Sequence, residues 1–167
     1  VKMERFDIVS LIKGILQSMD IMIQQKEAKV SFEAEEPVYV WADEFRIEEV
    51  VTNYTSNALN HLDGDREIEI CVCPEGDRVK ITVFNTGIPI PEADIPNLWK
   101  KFYKVDKART REYGGSGIGL SIVRKIVEDH GGRIWATSKE GIGTEIHFVL
   151  RKYQEVLQDE QDSNRGR

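Results

Sequence analysis

The chain has 167 residues and a formal net charge of -6, with 40% apolar and 31% charged residues. This acidic balance argues against nucleic-acid binding, because such a protein needs a basic surface that faces phosphates. The composition is that of a folded globular domain, and no run of 18 apolar residues marks a membrane span.

The first part of the chain predicts two amphipathic helices around a pair of short strands. Asp7 and Asp43 each stand just before apolar residues at three- and four-residue spacing, where an aspartate caps a helix. The predicted elements are a helix over 8–23, strands over 29–34 and 38–41, and a helix over 43–62.

The second part predicts two antiparallel hairpins around a long loop and a third helix. The segment Pro74-Glu75-Gly76-Asp77 is typical of a hairpin turn, and Gly131-Gly132 ends the third helix. Periodicity is lost over 88–116 apart from a short helical turn. The predicted elements are strands over 68–72 and 79–83, a turn over 98–103, a helix over 117–127, and strands over 133–137 and 144–150.

These elements predict an α+β fold, a two-layer α/β sandwich with a mixed sheet of about five strands and three main helices on one face. We expect residues 1–152 to form one domain and the polar segment 153–167 to fray into a disordered tail.

Cys71 and Cys73 would share one strand face, so we expect free thiols in a reducing compartment. The start at Val1 rather than Met suggests a piece of a longer protein.

A glycine-rich string, Gly114-Gly115-Ser116-Gly117-Ile118-Gly119, precedes the third helix. Glycines there let backbone N–H groups and the positive end of the helix approach phosphate oxygens. The string fits neither the dinucleotide template nor the P-loop, since no lysine follows Gly119. It predicts a phosphate site of another kind, and a tight loop before a helix is the structural alternative.

Three asparagines, Asn53, Asn57 and Asn60, recur at i, i+4 and i+7 and therefore share one stripe of the second helix. Amide oxygens in such a row suit Mg²⁺ held partly by protein oxygens and partly by phosphates. A solvated polar face is the alternative interpretation of the same spacing.

Polar and basic residues follow the strand over 79–83. Asn85 stands where that strand ends, so its amide would point into the crevice between sheet and helices, with a simple turn as the alternative. The loop carries Phe102-Tyr103-Lys104 followed by three further cations, which suits a lid that closes on phosphates. A solvated basic loop is the alternative.

In this order, the features resemble the boxes of the sensor histidine kinase catalytic domain, which shares a family with gyrase, heat-shock chaperone and mismatch-repair ATPases. The string DEFRIEEVVTNYTSNALNH over 43–61 resembles the N box, and VFNTGIPIP over 83–91 resembles the first glycine box. The strings LWKKFYKVDKAR over 98–109, GGSGIGLSIV over 114–123 and GIGTEIHF over 141–148 resemble the F box, the second glycine box and the closing strand.

The resemblance implies a Bergerat-type sandwich that binds ATP and Mg²⁺ under a flexible lid. It implies that Asn85 meets the adenine amino group, that Gly87 lets the base approach the backbone, and that Thr144 lies near the adenine. The catalytic set that it implies is Asn53, Asn57 and Lys104, with Asn57 as the metal ligand. The further residues implied to contact the nucleotide are Asn60, His61, Ile90, Tyr103, Lys107, Arg109, Gly115, Gly117, Ile118, Gly119 and Leu120.

Two boxes depart from the family pattern. Asn85 stands where aspartate is usual, which predicts weaker ATP binding because the hydrogen bond from the adenine loses its charge assistance. Asn60 and His61 stand where lysine and tyrosine are usual in the N box. We expect the lid cations to replace the missing lysine.

The function implied is transfer of the γ-phosphoryl group of ATP to a histidine on a dimerisation domain absent from this chain. His61, His130 and His147 are each followed by a non-acidic residue, so none fits the phosphoacceptor. The resemblance further implies a response regulator as partner and a homodimeric parent that is a membrane receptor. This chain would be its cytoplasmic domain, monomeric and without direct membrane contact.

Three alternatives remain. A related ATPase would need a general base, but Asn53 stands where those enzymes carry a glutamate, and an amide cannot act as a base. An anti-sigma-type serine kinase is disfavoured by the long lid. A degenerate nucleotide-sensing module, which binds a partner without transfer, is kept open by Asn85 and Asn60.

Overall fold

The computed structural model describes residues 1–87, 91–97, 118–139 and 142–154. The helices in these ranges are α1 (Ile8–Ser18), α2 (Asp20–Gln25), α3 (Glu44–Asn60) and α4 (Ile118–Asp129), with a 3-10 helix over Glu92–Asn97. The strands are β1 (Glu4–Asp7), β2 (Lys29–Ser31), β3 (Tyr39–Ala42), β4 (Glu67–Glu75), β5 (Arg78–Thr86), β6 (Arg133–Lys139) and β7 (Gly143–Arg151).

Five strands form the main sheet, in the order β2-β4-β5-β7-β6. β2 runs parallel to β4, and all other neighbours are antiparallel. Both predicted hairpins are present, and Gly76 supplies the left-handed residue of the β4–β5 turn with a φ of 61°. The predicted mixed sheet of about five strands is confirmed.

The helices pack on one face of this sheet. Every second residue of β5 is buried there, beginning with Val79, Ile81 and Val83. Ile81 lies opposite Phe148 of β7, whose ring meets Tyr54 of α3 edge to face with 5.4 Å between centroids. These apolar contacts join the sheet and helix layers into one core, and the predicted two-layer sandwich is confirmed.

A second, two-stranded sheet brings β1 against β3. Val40 of β3 forms an antiparallel bridge to Lys152 on its other side, and the Tyr153 N–H donates to the Tyr39 carbonyl at 3.0 Å. The guanidinium of Arg5 lies 3.8 Å from the centroid of the Tyr39 ring. We call β1, β3 and Lys152-Tyr153 the terminal junction.

The structure differs from the predicted elements in two places. Strand β1 was not predicted, because only Phe6 of its four residues is buried and the segment shows no alternation. The single helix predicted over 8–23 is divided at Met19, where the Ser18 hydroxyl donates to the Ile15 carbonyl at 2.7 Å and competes with the helical pattern. No residue of α2 is buried, so packing does not hold it in line with α1.

Two predictions lie outside the described residues, namely the helical turn over 98–103 and the tail from residue 155 onward. Within the described ranges, no helix is both long and apolar enough to cross a membrane.

Candidate functional site

The buried face of β5 changes from apolar to polar at its last position. Asn85 continues the row that begins with Val79, and only 6% of its surface is exposed. The neighbours of Asn85 across the sheet are Ile68 on β4 and Thr144 on β7. Thr144 is 3% exposed, so two buried polar side chains stand together where the sheet meets the helix layer.

The amide of Asn85 is oriented by a backbone carbonyl. Its Nδ2 donates to the Thr86 carbonyl oxygen at 3.3 Å, which assigns the nitrogen side of the amide. Among the described residues, no donor is bonded to the Asn85 Oδ1 atom. An amide oxygen of a buried residue that has no protein donor is suited to accept a hydrogen bond from a ligand amine.

Gly143 allows β7 to begin directly against β5. A Cβ atom on Gly143 would stand 2.0 Å from the Asn85 carbonyl oxygen, and its φ of 154° is strained for any other residue. The glycine therefore keeps Thr144 in register with Asn85.

The end of α3 reaches the same corner of the molecule through Gly87. Leu62 and Gly87 form an isolated antiparallel bridge, and a Cβ atom on Gly87 would stand 2.3 Å from the His61 carbonyl oxygen. Only glycine permits this close approach between the residue after α3 and the segment after β5. The structure thus brings His61, Gly87, Asn85 and Thr144 into one contiguous region.

The asparagine stripe of α3 runs along the border of the helix. Asn53, Asn57 and Asn60 are all half-buried. The Nδ2 atom of Asn53 donates to the Glu49 carbonyl at 2.9 Å, and no described residue donates to its Oδ1. In the described part of the chain, the side chains of Asn57 and Asn60 form no hydrogen bond, so their amide oxygens are available to a ligand.

Of the second glycine box, only the part that begins α4 lies within the described residues. Ile118, Gly119 and Leu120 form the first turn of this 12-residue helix, at its positive end. The other residues predicted for the lid and loop lie outside the described residues. These are Ile90, Tyr103, Lys104, Lys107, Arg109, Gly115 and Gly117.

One contact was missed by sequence reasoning. The backbone N–H of Asp43, the residue that caps α3, donates to Nε2 of His130 at 3.0 Å, although the two residues are 87 positions apart. Asp43 was predicted as a helix cap from its local pattern, and its Oδ1 does accept the Arg46 N–H at 3.2 Å. No local periodicity signals a partner so distant in the chain.

The sheet topology places a buried polar corner beside an asparagine-bearing helix. The chain belongs to the family of histidine kinase-, DNA gyrase B-, and HSP90-like ATPases, whose sequence profile matches residues 42–154. The resemblance seen in the sequence is confirmed.

Within that family, the chain is similar to sensor histidine kinases. It is 40% identical over 157 residues to the sensor histidine kinase WalK of Bacillus subtilis, covering 89% of this chain and 26% of that protein. It is 40% identical over 124 residues to the sensor protein kinase WalK of Staphylococcus aureus, covering 73% of this chain and 29% of that protein. The chain therefore spans about a quarter of the length of these relatives.

The solved structures agree with this placement. The nucleotide-free catalytic domain of histidine kinase ThkA superposes with a TM-score of 0.79 at 31% identity, over 91% of this chain and 97% of that one. ThkA in complex with the response regulator protein TrrA superposes with a TM-score of 0.76 at 29% identity, over 90% of this chain and 42% of that one.

Proposed function

We propose that this chain is the ATP-binding catalytic domain of a two-component sensor histidine kinase. It transfers the γ-phosphoryl group of ATP to a histidine on a dimerisation domain that this chain does not contain. The similarity to WalK and the match to nearly the whole ThkA catalytic domain support this activity over the other members of the family.

The observation that carries the proposal is the open oxygen of Asn85. Asn85 is a buried residue at the end of an otherwise apolar row, and no described residue donates to its Oδ1. The exocyclic amine of adenine donates to this oxygen, and the base approaches the backbone at Gly87, two residues further along the chain. Thr144, paired with Asn85 across the sheet, lies beside the base.

The amides of α3 hold the phosphate end. Asn57 offers to Mg²⁺ an Oδ1 that has no donor among the described residues, and Asn53 lies one turn away on the same stripe. The metal ion supplies charge neutralisation on the phosphate oxygens. The start of α4 presents backbone N–H groups to the phosphates, and the lid cations Lys104, Lys107 and Arg109 are proposed to complete the cradle.

The residue chemistry favours transfer over hydrolysis. Hydrolysis needs a base that activates water, and the amide of Asn53 has no basic lone pair at neutral pH. Its nitrogen is also committed to the Glu49 carbonyl. The site can therefore hold ATP until an external nucleophile arrives.

Two of the three histidines, His130 and His147, are unsuited to act as the nucleophile. His130 and His147 are 7% and 8% exposed, and both rings are engaged in hydrogen bonds on both nitrogens. Neither can approach a phosphoryl group without unpacking. The partners proposed are the missing dimerisation domain and a response regulator. The parent protein is proposed to be a homodimeric membrane receptor, and this chain to be its cytoplasmic catalytic domain, which is monomeric by itself.

A transfer assay tests the proposal. The chain is incubated with γ-labelled ATP, Mg²⁺ and a separately purified dimerisation domain of a sensor histidine kinase, and acid-labile label on histidine is measured. Asn57→Ala should lower transfer roughly 100-fold or more, because a ligand that neutralises transition-state charge is lost. Thr52→Ala, an exposed change on the same helix, is the matched control and should have no effect.

The assay also separates the alternatives. Phosphate released without an acceptor would indicate a related ATPase. Nucleotide bound without transfer to any acceptor would favour the nucleotide-sensing module, for which the uncharged Asn85 is the supporting observation.

A further inference from the structure

His130 directly follows α4 and uses both nitrogens of its ring. Its Nδ1 lies 2.7 Å from the Ile126 carbonyl oxygen, which can only accept, so Nδ1 carries the proton. Nε2 is then the acceptor, and it receives the Asp43 N–H at 3.0 Å. The two partners define one neutral tautomer of a side chain that is 7% exposed.

Asp43 gathers two further contacts at the same place. Its Oδ1 accepts the Arg46 N–H in the first turn of α3, and its Oδ2 accepts the backbone N–H of Lys2 at 2.9 Å. The hydrogen bond from Lys2 is the main reason that the pKa of Asp43 lies below its usual value. One buried residue therefore joins the N-terminal segment, α3 and α4.

The contact lies at the end of the helix pair that is remote from the asparagines. Helices α3 and α4 contact each other, and the residue before α3 meets the residue after α4. The two packed helices are therefore antiparallel, and Asn57 on α3 and Ile118 on α4 both lie on the side away from this contact. A bond at one end of two packed helices limits how far one can slide or rotate against the other.

We infer that His130 is a positioning residue for the nucleotide site: by bonding the Asp43 N–H it sets α4 against α3, and so the start of α4 against the amide of Asn57. This inference rests on the proposed function, because its readout is the binding of ATP. His130 touches no substrate in this role and acts only through the two helices.

Two substitutions separate the bonds that His130 makes. His130→Gln can present an acceptor near the position of Nε2 and keep the bond to Asp43. His130→Asn keeps a donor near the position of Nδ1 for Ile126 but is too short to reach Asp43. His147→Asn is the control, since His147 is equally buried but its ring bonds only strand residues, Thr82 of β5 and Thr137 of β6.

The dissociation constant of ATP with Mg²⁺ is measured for each chain at a temperature where circular dichroism shows it folded. We expect His130→Asn to weaken binding about tenfold, a usual size for coupling between distant sites, and His130→Gln to restore most of the loss. His147→Asn should bind like the unmodified chain. If His130 served only as a helix cap, His130→Asn would lower the midpoint of unfolding but leave the ATP affinity of the folded protein unchanged.

A second measurement, hydrogen exchange, needs only the unmodified chain and can therefore be made even if His130→Asn does not fold. Because coupling is reciprocal, saturating ATP and Mg²⁺ should slow hydrogen exchange at the Asp43 amide. An unchanged exchange rate, or equal ATP affinity in His130→Asn and the unmodified chain, overturns the positioning role and leaves the proposed function intact. Failure of the unmodified chain to bind ATP overturns both.

Discussion

Asn85 differs from an aspartate only in one side-chain atom, yet the change alters the charge of the hydrogen bond it offers. Its Oδ1 accepts as a neutral amide oxygen, and its Nδ2 is held by the Thr86 carbonyl. A carboxylate in the same buried place would accept with charge assistance, which strengthens hydrogen bonds. We therefore expect the natural residue to bind an adenine amine less tightly than an aspartate would.

We predict that Asn85→Asp tightens ATP binding roughly fivefold, since hydrogen bonds to charged groups gain about 1 kcal/mol more than neutral ones. Titration of the chain with a fluorescent ATP analogue, competed by ATP, measures the change. Asn85→Ala removes the acceptor and should weaken binding in the same assay. Equal affinities in all three chains would show that Asn85 does not contact the nucleotide.

The pairing of β5 with β7 depends on one glycine at the point where β7 begins. Gly143 has a φ of 154°, and a Cβ atom there would meet the Asn85 carbonyl oxygen at 2.0 Å. The pairing cannot relax around a side chain without separating the two strands that carry Asn85 and Thr144.

Gly143→Ala should destabilise the fold by about 3 kcal/mol, from backbone strain and overpacking together. Gly14→Ala is the matched control, because Gly14 is exposed on α1 and has no atom within 4 Å of its added Cβ. There the change should stabilise by about 0.5–1 kcal/mol, the helix preference of alanine over glycine. Urea unfolding of both chains measures the two effects, and a Gly143→Ala chain as stable as the unmodified one would contradict the steric argument.

At the scale of elements, the main sheet was predictable where local pattern and burial agree. In β5 every second residue is buried, so alternation alone located the strand and placed Asn85 on its buried side. Strand β1 carries no such pattern, because it pairs only with β3 and buries one residue. The bond between Asp43 and His130 was equally invisible, since it depends on two helix ends that only the fold brings together.

The candidate site was predictable to the extent that its parts are local motifs. Gly87 and Asn85 were singled out from the order of boxes, and the structure brings Gly87 against the end of α3 and Asn85 beside Thr144. What the sequence could not show is the contact of Gly87 with the His61 carbonyl, because that closeness follows from how α3 packs on the sheet.

At the scale of the whole molecule, we expect stability to depend on pH through His147, which lies on the sheet face opposite the helices. His147 of β7 bonds Thr82 of β5 through Nδ1 at 3.0 Å and Thr137 of β6 through Nε2 at 3.1 Å, and Trp135 stacks on its ring. Burial lowers the pKa of His147 below its ordinary value of 6.5, and Glu145 opposes this only in part. One neutral ring therefore links three strands.

Below about pH 6.5 the unfolded chain takes up a proton at this position that the folded chain resists. Stability is therefore complete above that pH and falls as the pH drops towards the lower pKa of the folded state. We predict that His147→Gln loses less stability than the unmodified chain between pH 7.5 and pH 5.5. Urea unfolding followed by tryptophan emission tests this, and parallel losses in the two chains would assign the pH dependence to other groups.

The terminal junction determines how the domain would bear a mechanical load. β1 and the segment at Lys152 both run antiparallel to β3, so they run in the same direction on its two sides. A pull applied between residue 4 and residue 153 would drag these outer segments in opposite senses along β3, and the backbone bonds would be strained together rather than opened one after another. Tension transmitted from neighbouring sequence would thus meet resistance in shear, the stiff direction of a sheet, before it reached the packed core.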